Sequence, residues 1–446
     1  MPEDQMLTAS FIASPPPGAP AGYQPAPQSV EETGLPREFL LDQTLRIMFR
    51  RSVDSVSAAA DALRLSPAVT ADLFEMLRSE RLIATLGQLY ADMRAEMRFE
   101  LTEGGRARAL EASARMDYSG PCPVTLDQYR RSVAAQSVGE HRIGKPTLMD
   151  AFRHLVVPQG VLERLGPAIN SGRSILLYGP PGNGKSSYAH ALAKAMEGPV
   201  LVPFSLYVDG EVIQVFDPSL HRLAPQEDPW TPADLVQAGA PDLRFNLCLR
   251  PAVITGAELM TDMLDLRFNA TSRTYQAPIQ MKAANGVLII DDLGRQRQPP
   301  QAFINRLIVP MEEGVDYQSL QSGLSFQVPF DTLMIFSTNI PPAELLDGAG
   351  LRRIYYKLLI ERPTQDDFIK IFLRVSKARG IEAPEPALEY VLRELYGRSE
   401  LGFAAYHSVY LIDQAIAACD YEGVDRQLRP EFLDAAWANL SVIDSA

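Results

Sequence analysis

Residues 174–196, SILLYGPPGNGKSSYAHALAKAM, decide the fold of this chain. They begin with an apolar run at 175–178 that predicts a buried strand, and residues 187–196 predict a helix. Between them, residues 179–186 read GPPGNGKS and match the pattern GxxxxGK[S/T] at every fixed position. A strand, a glycine-rich loop and a helix in this order are the context that a phosphate-binding P-loop requires. The stretch therefore predicts an α/β fold that carries a nucleotide-phosphate site.

The residues of this loop have distinct predicted roles. The glycines let backbone N–H groups turn toward phosphate, and the helix N-terminus adds its dipole. Lys185 is placed to reach the β- and γ-phosphates, and Ser186 is placed to ligate Mg²⁺. The predicted cofactor-binding residues are Gly179, Pro180, Pro181, Gly182, Asn183, Gly184, Lys185, Ser186 and Ser187.

Two further apolar runs end in polar residues. Residues 287–290, VLII, lead into Asp291 and Asp292, and residues 332–337 lead into Thr338 and Asn339. A run without alternation is typical of a central parallel strand, and open α/β sheets place their chemistry at the carboxyl ends of such strands. We expect Asp291 to hold Mg²⁺ through water and Asp292 to polarise the attacking water. Asn339 is expected to hydrogen-bond that water or the γ-phosphate.

Composition and charge exclude several classes of protein. The chain has 446 residues, of which 46% are hydrophobic and 22% charged, which excludes a wholly disordered or collagen-like chain. Its net charge of −13 disfavours non-specific binding to nucleic acid or to an anionic membrane, although one basic face is not excluded. The 3 cysteines have no CxxC spacing, which argues against a zinc site. No signal peptide or membrane-spanning run is recognisable, so we expect a cytoplasmic protein without membrane insertion.

The region before the P-loop divides into three predicted segments. Residues 1–34 are rich in proline and predict a disordered tail. Residues 35–118 begin with a run at helical spacing, FLLDQTLRIMF, and continue with two short helices around a turn at Ser66–Pro67. Two strands and a helix capped by Thr102 follow. This order predicts an N-terminal winged-helix domain. Residues 119–150 are expected to be a linker.

The charges of the winged-helix region favour protein over DNA as its partner. Between residues 37 and 117 there are 12 Arg and 13 Asp or Glu residues. The second helix of the pair carries Asp72 and Glu75 where a DNA-binding helix would meet phosphates. Since DNA affinity depends on cationic side chains that release counterions, a protein-docking role is the preferred interpretation, and DNA binding is the disfavoured one.

The three strand-end motifs, followed by Leu351-Arg352-Arg353-Ile354, resemble an AAA+ ATPase over residues 150–446. The resemblance implies a parallel-sheet nucleotide-binding core at 151–362 and a C-terminal helical lid at 363–446. It also implies that Asn339 is sensor 1 and that the chain forms a homo-oligomeric ring or partial ring. An arginine finger would act on the ATP of a neighbouring subunit; Arg353 is the best match and Arg352 the second.

Longer strings are similar to one bacterial group, the predicted ATPases with chaperone activity associated with Flp pilus assembly. The strings are YSGPCPVTLDQY, LGPAINSGRSILLYGPPGNGKSS, GVLIIDDLGRQR, NRLIVPMEE with the later VPF, and LRRIYYK. The chain departs from this group at Val409, which stands where the group has the sensor 2 arginine. It departs from most AAA+ motors at Asp292, which stands where they have glutamate. Losing the sensor 2 cation is expected to weaken coupling between the lid and the nucleotide.

The expected activity is Mg²⁺-dependent ATP hydrolysis, at an ordinary or a slow rate, that remodels or assembles a protein client. Pilus assembly or secretion is one pathway in which such a client could act. Two alternatives stay open: a DNA-directed ATPase of the helicase-loader or transposition type, and a nucleotide-gated scaffold with little hydrolysis.

An insert after the P-loop helix predicts a hairpin that turns at Asp209-Gly210. Tyr275 in the same insert is interpreted as a packing residue in preference to a pore-loop aromatic.

Overall fold

A computed structural model describes residues 22–88, 97–225, 240–399 and 401–444 of the protein. Within this part of the chain, no helix combines the length and the apolar character needed to cross a bilayer.

The N-terminal region contains three helices, an antiparallel strand pair and a fourth helix. In chain order these are α1 (Arg37–Arg51), α2 (Val56–Leu63), α3 (Pro67–Ser79), β1 (Ile83–Gln88), β2 (Met97–Leu101) and α4 (Glu103–Arg115). The hydroxyls of Ser55, Ser66 and Thr102 cap α2, α3 and α4 by accepting from first-turn backbone N–H groups. These elements have the expected order, and their assignment to the winged-helix class at 35–118 stays a prediction.

Residues 22–34, which precede α1, pack against other parts of the chain. Ala26 and Val30 are buried, and the N–H of Ala26 donates to the carbonyl of Ala240 at 2.8 Å. The prediction of a disordered tail is therefore wrong for residues 22–34, because their few apolar side chains pack against distant parts of the chain. The rest of that prediction, residues 1–21, lies outside the described residues.

Residues 119–150, predicted to be a linker, contain regular structure. They include β3 (Val124–Thr125), α5 (Leu126–Ala135) and α6 (Lys145–Ala151). Thr125 and Gln128 form a capping box at the start of α5, and Tyr129 and Val133 on this helix are buried. The segment contributes a strand and a helix to a packed layer, so it is more than a connector.

The central region contains both strands and helices. Its elements are α7 (Gln159–Asn170), β4 (Ile175–Tyr178), α8 (Lys185–Ala195), β5 (Pro199–Pro203), β6 (Ser205–Val208), β7 (Glu211–Gln214), β8 (Phe245–Leu249), β9 (Ala252–Thr255), β10 (Arg267–Asn269), β11 (Thr274–Gln276), α9 (Ile279–Lys282), β12 (Val287–Ile290), α10 (Pro300–Glu313), β13 (Val315–Ser319), β14 (Ser325–Pro329), β15 (Leu333–Thr338), α11 (Pro342–Leu345), α12 (Gly348–Arg353) and β16 (Tyr356–Leu359).

Five of these strands form the parallel sheet of an α/β core. Their order is β16-β4-β15-β12-β9, and each neighbouring pair is parallel. All four residues of β12 are buried, as the run without alternation predicts for a strand covered on both faces. The register places Thr338 opposite Tyr178 and Phe336 opposite Ile290, so the loops after β4, β12 and β15 leave the same edge of the sheet.

A second, mixed sheet is built from the insert and the segment before the core. Its strand order is β10-β11-β7-β6-β3. The predicted hairpin is confirmed: β6 pairs antiparallel with β7, and Asp209 and Gly210 form the turn with φ values of 49° and 86°. The sequence also predicts an irregular, proline-rich loop at residues 221–235, and this loop lies outside the described residues from 226 onward. Tyr275 on β11 is buried, so its interpretation as a packing residue is confirmed.

A buried ion pair joins three separate parts of the sequence. The Arg244 side chain is 0% exposed and lies 2.8 Å from Asp242. Its Nη1 also donates to the carbonyls of Thr33 and Pro123 at 3.2 Å. A buried guanidinium needs this many acceptors, because an unpaired buried charge is strongly destabilising. Arg244 therefore holds the N-terminal segment, β3 and the insert together.

Four C-terminal helices, which we call the lid, follow the core. They are α13 (Gln365–Arg379), α14 (Glu385–Tyr390), α15 (Ala405–Glu422) and α16 (Pro430–Asp444). They share an apolar cluster of their own that includes Phe368, Phe372, Leu411 and Leu433, all fully buried. The lid therefore packs around a core distinct from that of the parallel sheet.

Candidate functional site

The P-loop at residues 179–186 has a backbone that requires glycine. Gly179, Gly182 and Gly184 have φ values of 140°, 73° and 83°, in the region that side chains rarely adopt. A Cβ at Gly179 would also lie 2.2 Å from the carbonyl oxygen of Ile360. Gly184 precedes α8, so the loop ends at a helix N-terminus, where backbone N–H groups favour anions.

The Lys185 side chain hydrogen-bonds to the backbone of the P-loop. Its Nζ donates to the carbonyls of Gly179 at 3.0 Å and Pro180 at 2.8 Å. Burial lowers the pKa of Lys185 from its ordinary value, and the charges of Asp292 and Asp291 oppose that shift. The ammonium group is therefore held beside the loop by two uncharged carbonyl acceptors, which a charged phosphate can replace.

Asp291 is oriented by a residue that the sequence analysis did not single out. The hydroxyl of Ser337, on the neighbouring strand β15, donates to Asp291 Oδ1. The same hydroxyl accepts from the N–H of Asp292 at 3.2 Å. The signal available in the sequence was a polar residue near the end of a buried strand, two positions before Asn339.

Asp292 and Asn339 meet across the edge of the sheet. Asn339 Nδ2 lies 3.4 Å from Asp292 Oδ1, although 47 positions separate the two residues in sequence. Asp292 has a φ of 50°, a conformation that aspartate tolerates better than most residues. Its carboxylate is exposed, so it is free to contact a ligand or a water.

A cavity of about 960 Å³, the central cavity, lies between the P-loop and the lid. Lys185, Ser186, Ser187, Asp292 and Asn339 line it on the core side, together with residues 182–184. The lining residues that the sequence analysis did not predict include His154, Leu155, Arg164, Arg362, Arg374 and Tyr406. They come from segments without a sequence motif, and only the fold brings them beside the P-loop.

The lid side of the central cavity includes Val409. Its side chain lines the cavity and the residue is 38% exposed. An arginine at this position would present a cation to the cavity, and valine does not. The departure noted in the sequence therefore lies at the wall of the predicted nucleotide site.

The two candidate finger arginines differ in their surroundings, and neither lines the central cavity. Arg353 Nε lies 2.8 Å from Glu312 Oε1, although its N–H does not point along that contact. Arg352 is exposed and forms no ion pair with any described residue. Both residues lie on α12, at the end of the helix that precedes β16.

The donor atoms near Lys185 suit Mg²⁺ bound together with a nucleotide. The Ser186 hydroxyl lies in the first turn of α8, and the Asp291 carboxylate is at the end of β12. Mg²⁺ prefers oxygen ligands and usually keeps several waters while it binds one or two protein groups and substrate phosphates. The residues present therefore fit this ion.

Comparison with family models gives two matches. Residues 175–354 match the ATPase family associated with various cellular activities (AAA). The chain therefore contains an AAA ATPase family domain. This domain extends from β4 to the end of α12 and includes the P-loop, Asp291, Asp292, Asn339 and the two candidate finger arginines. Residues 364–439 of the lid match a domain of unknown function, DUF8689.

Comparison with curated proteins finds no match. Among solved structures, the Holliday junction branch migration motor RuvB of Thermotoga maritima is 16% identical, with 67% of this chain and 70% of that chain covered and a TM-score of 0.34. A mutant form of the same protein is 14% identical, with 69% and 73% covered and a TM-score of 0.35. NtrX from Brucella abortus in complex with ADP is 12% identical, with 76% and 66% covered and a TM-score of 0.39. Likenesses this weak say nothing of what this chain binds.

Proposed function

We propose that this protein is a Mg²⁺-dependent ATPase that remodels or assembles a protein client. The observation that carries the ATPase part is the convergence of Lys185, Asp292 and Asn339 on one cavity beside a glycine-rich helix start. The start of α8 and the ends of β12 and β15 supply these groups. Phosphoryl transfer needs them in one place because its catalysis is mainly positioning and charge stabilisation.

The roles of the individual residues follow from their positions. Backbone N–H groups of the P-loop and the Lys185 ammonium bind the phosphates, and Ser186 and Asp291 hold Mg²⁺. The ion, when bound, neutralises charge that develops on the phosphate oxygens. Asp292 orients the attacking water and accepts its proton, and Asn339 fixes the Asp292 carboxylate through its amide. An arginine from a second copy completes the site.

The N-terminal region supports a protein client more than DNA. Among its described arginines, six are in ion pairs within the chain, and Arg108 contacts Glu38, Asp42 and Glu80 at once. The six are Arg37, Arg50, Arg78, Arg98, Arg108 and Arg115. Asp72 and Glu75 are exposed on α3. Paired arginines release fewer counterions, so this surface is poorly suited to a polyanion.

Replacing Lys185 by alanine tests the ATPase proposal. We expect the full chain to bind a fluorescent ATP analogue with Mg²⁺ and to hydrolyse ATP, and the Lys185→Ala variant to lose hydrolysis and most of the binding. Lys194→Ala is the matched control, because Lys194 is exposed on the same helix and does not line the central cavity. Equal turnover in wild type and Lys185→Ala would show that any activity comes from another source.

The lowered pKa of Lys185 gives ATP binding a pH dependence. The phosphates need the charged ammonium, so the affinity for ATP should fall as pH rises. Because the pKa of Lys185 is lowered, this fall should begin at a lower pH than it would with a lysine of ordinary pKa. ATP should in turn raise this pKa, so binding takes up protons in alkaline buffer. Titration of the affinity across alkaline pH, with Lys185→Ala as reference, measures the effect. An affinity that is flat in wild type up to the ordinary lysine pKa would contradict it.

Val409 favours a second candidate, a nucleotide-gated scaffold. The cavity wall lacks a lid cation at this position, and such a cation would stabilise charge on the phosphates. A scaffold would bind ATP and assemble, while its turnover stayed at the level of Lys185→Ala. Measuring particle mass and turnover in the same samples, with and without ATP, separates the scaffold from the motor.

A further inference from the structure

The first turn of α15 contacts the P-loop directly. The backbone N–H of Tyr406 donates to the carbonyl of Gly182 at 3.0 Å. The Tyr406 ring also packs on the same glycine so closely that a Cβ there would lie 2.1 Å from Tyr406 Cδ1. The lid and the phosphate-binding backbone therefore share a contact of both ring and main chain.

This contact caps the lid helix. The first N–H groups of an α-helix have no partner within the helix, and side chains or other groups must satisfy them. Ala404 holds the N-cap position of α15 and provides no side-chain acceptor. The Gly182 carbonyl takes this role for Tyr406, so the start of α15 depends on the position of the P-loop.

A chain of aromatic rings continues from Tyr406 into the lid. The Tyr406 and His407 ring centroids are 4.4 Å apart, and His407 Nδ1 lies 2.6 Å from the Tyr396 hydroxyl. The Tyr396 ring in turn packs against Phe403 at 4.5 Å and Trp437 at 4.7 Å. His407 and Tyr396 are buried, and buried packing of this kind transmits displacement because it has little free volume.

A second contact ties the lid to the core without the P-loop. Arg374 Nη1, on α13, donates to the carbonyl of Leu155 at 2.5 Å. Val409 lies one helical turn after Tyr406 and offers the central cavity no charge. On the lid side, Tyr406 is therefore the residue that hydrogen-bonds to the P-loop backbone, whereas Arg374 bonds to the core outside that loop.

We propose that Tyr406 is a positioning residue through which the lid responds to nucleotide, by packing against Gly182. The proposal rests on the proposed ATP binding. When the P-loop backbone orders around phosphates, the Gly182 carbonyl and the Tyr406 N–H are held together. The start of α15 is then stabilised, and the ring chain extends the effect to the lid core.

Hydrogen exchange of the full chain tests this inference. Samples with Mg²⁺ alone are compared with samples saturated with Mg²⁺ and the non-hydrolysable analogue adenylyl imidodiphosphate, whose binding is measured in parallel. In wild type we expect the analogue to slow exchange at the start of α15 by about 5-fold or more, the lower end of ordinary coupling between two sites. Bound analogue with unchanged exchange overturns the inference and leaves the ATPase proposal standing. Absence of analogue binding refutes the ATPase proposal itself.

Substitutions at two positions of α15 sharpen the result. Tyr406→Ala is expected to bind the analogue and lose the protection of α15, whereas Tyr406→Phe, which keeps the ring, retains it. Tyr421→Ala is the control, since Tyr421 is 88% exposed on α15. Normal protection in Tyr406→Ala overturns the inference. Should Tyr406→Ala fail to fold, the wild-type exchange still decides.

Discussion

Replacement of Asp292 by asparagine is expected to slow ATP hydrolysis by about 10²–10⁴-fold, the usual contribution of a positioned general base. ATP binding is expected to persist, because Lys185 and the P-loop backbone bind the phosphates. Asparagine also tolerates the positive φ of this position and keeps the size of the side chain. The loss therefore reports on the carboxylate alone. Steady-state hydrolysis and binding of a fluorescent ATP analogue, measured in parallel, check it.

The matched control for this change is Asp209→Asn. Asp209 is also an exposed aspartate with positive φ, and it lies in the turn between β6 and β7. We expect this variant to hydrolyse ATP at the wild-type rate. If Asp292→Asn did the same, Asp292 would not be the group that activates water, and the mechanism proposed here would need another base.

Although the resemblance to AAA+ ATPases favours Arg353, the surroundings of the two arginines lead us to expect that Arg352 acts in trans. Arg352 is exposed and free of ion pairs among the described residues, whereas Arg353 lies beside Glu312. Arg352→Ala should lower turnover by about 10³–10⁵-fold, the magnitude of an arginine finger in related phosphoryl transfer, and leave ATP binding intact. Arg353→Ala should mainly remove a partly exposed ion pair, which contributes about 0–1 kcal/mol to stability. Turnover measured at equal protein concentration checks the two variants.

Mixing two inactive variants distinguishes action in trans from a structural defect. Arg352→Ala has an intact P-loop and no finger, and Lys185→Ala has the finger and no functional P-loop. In mixed assemblies the first supplies the nucleotide site and the second the arginine, so hydrolysis should return in part. No recovery in assemblies shown to be mixed, or a larger loss from Arg353→Ala than from Arg352→Ala, would contradict the assignment of Arg352.

Local patterns predicted much of the site. The P-loop was readable because its glycines, Lys185 and Ser186 are contiguous, and the helix and strand around it obey local rules. The Thr102 cap of α4 was of the same kind, since a cap acts within three residues. Residues 22–34 and 119–150 were misjudged because what orders them is distant. Arg244, whose side chain hydrogen-bonds to the carbonyls of Thr33 and Pro123, is one example.

The sequence by itself determined the α/β core, the phosphate loop and the acidic strand end, because each is encoded by adjacent residues. Only the tertiary structure decided how these parts meet. It placed Ser337 on Asp291, Asn339 beside Asp292, Glu312 beside Arg353 and Tyr406 on Gly182. Each of these contacts joins residues that are more than 40 positions apart, with Tyr406 and Gly182 the most distant pair. Their proximity depends on strand order, helix length and lid packing, and no short stretch of sequence encodes those.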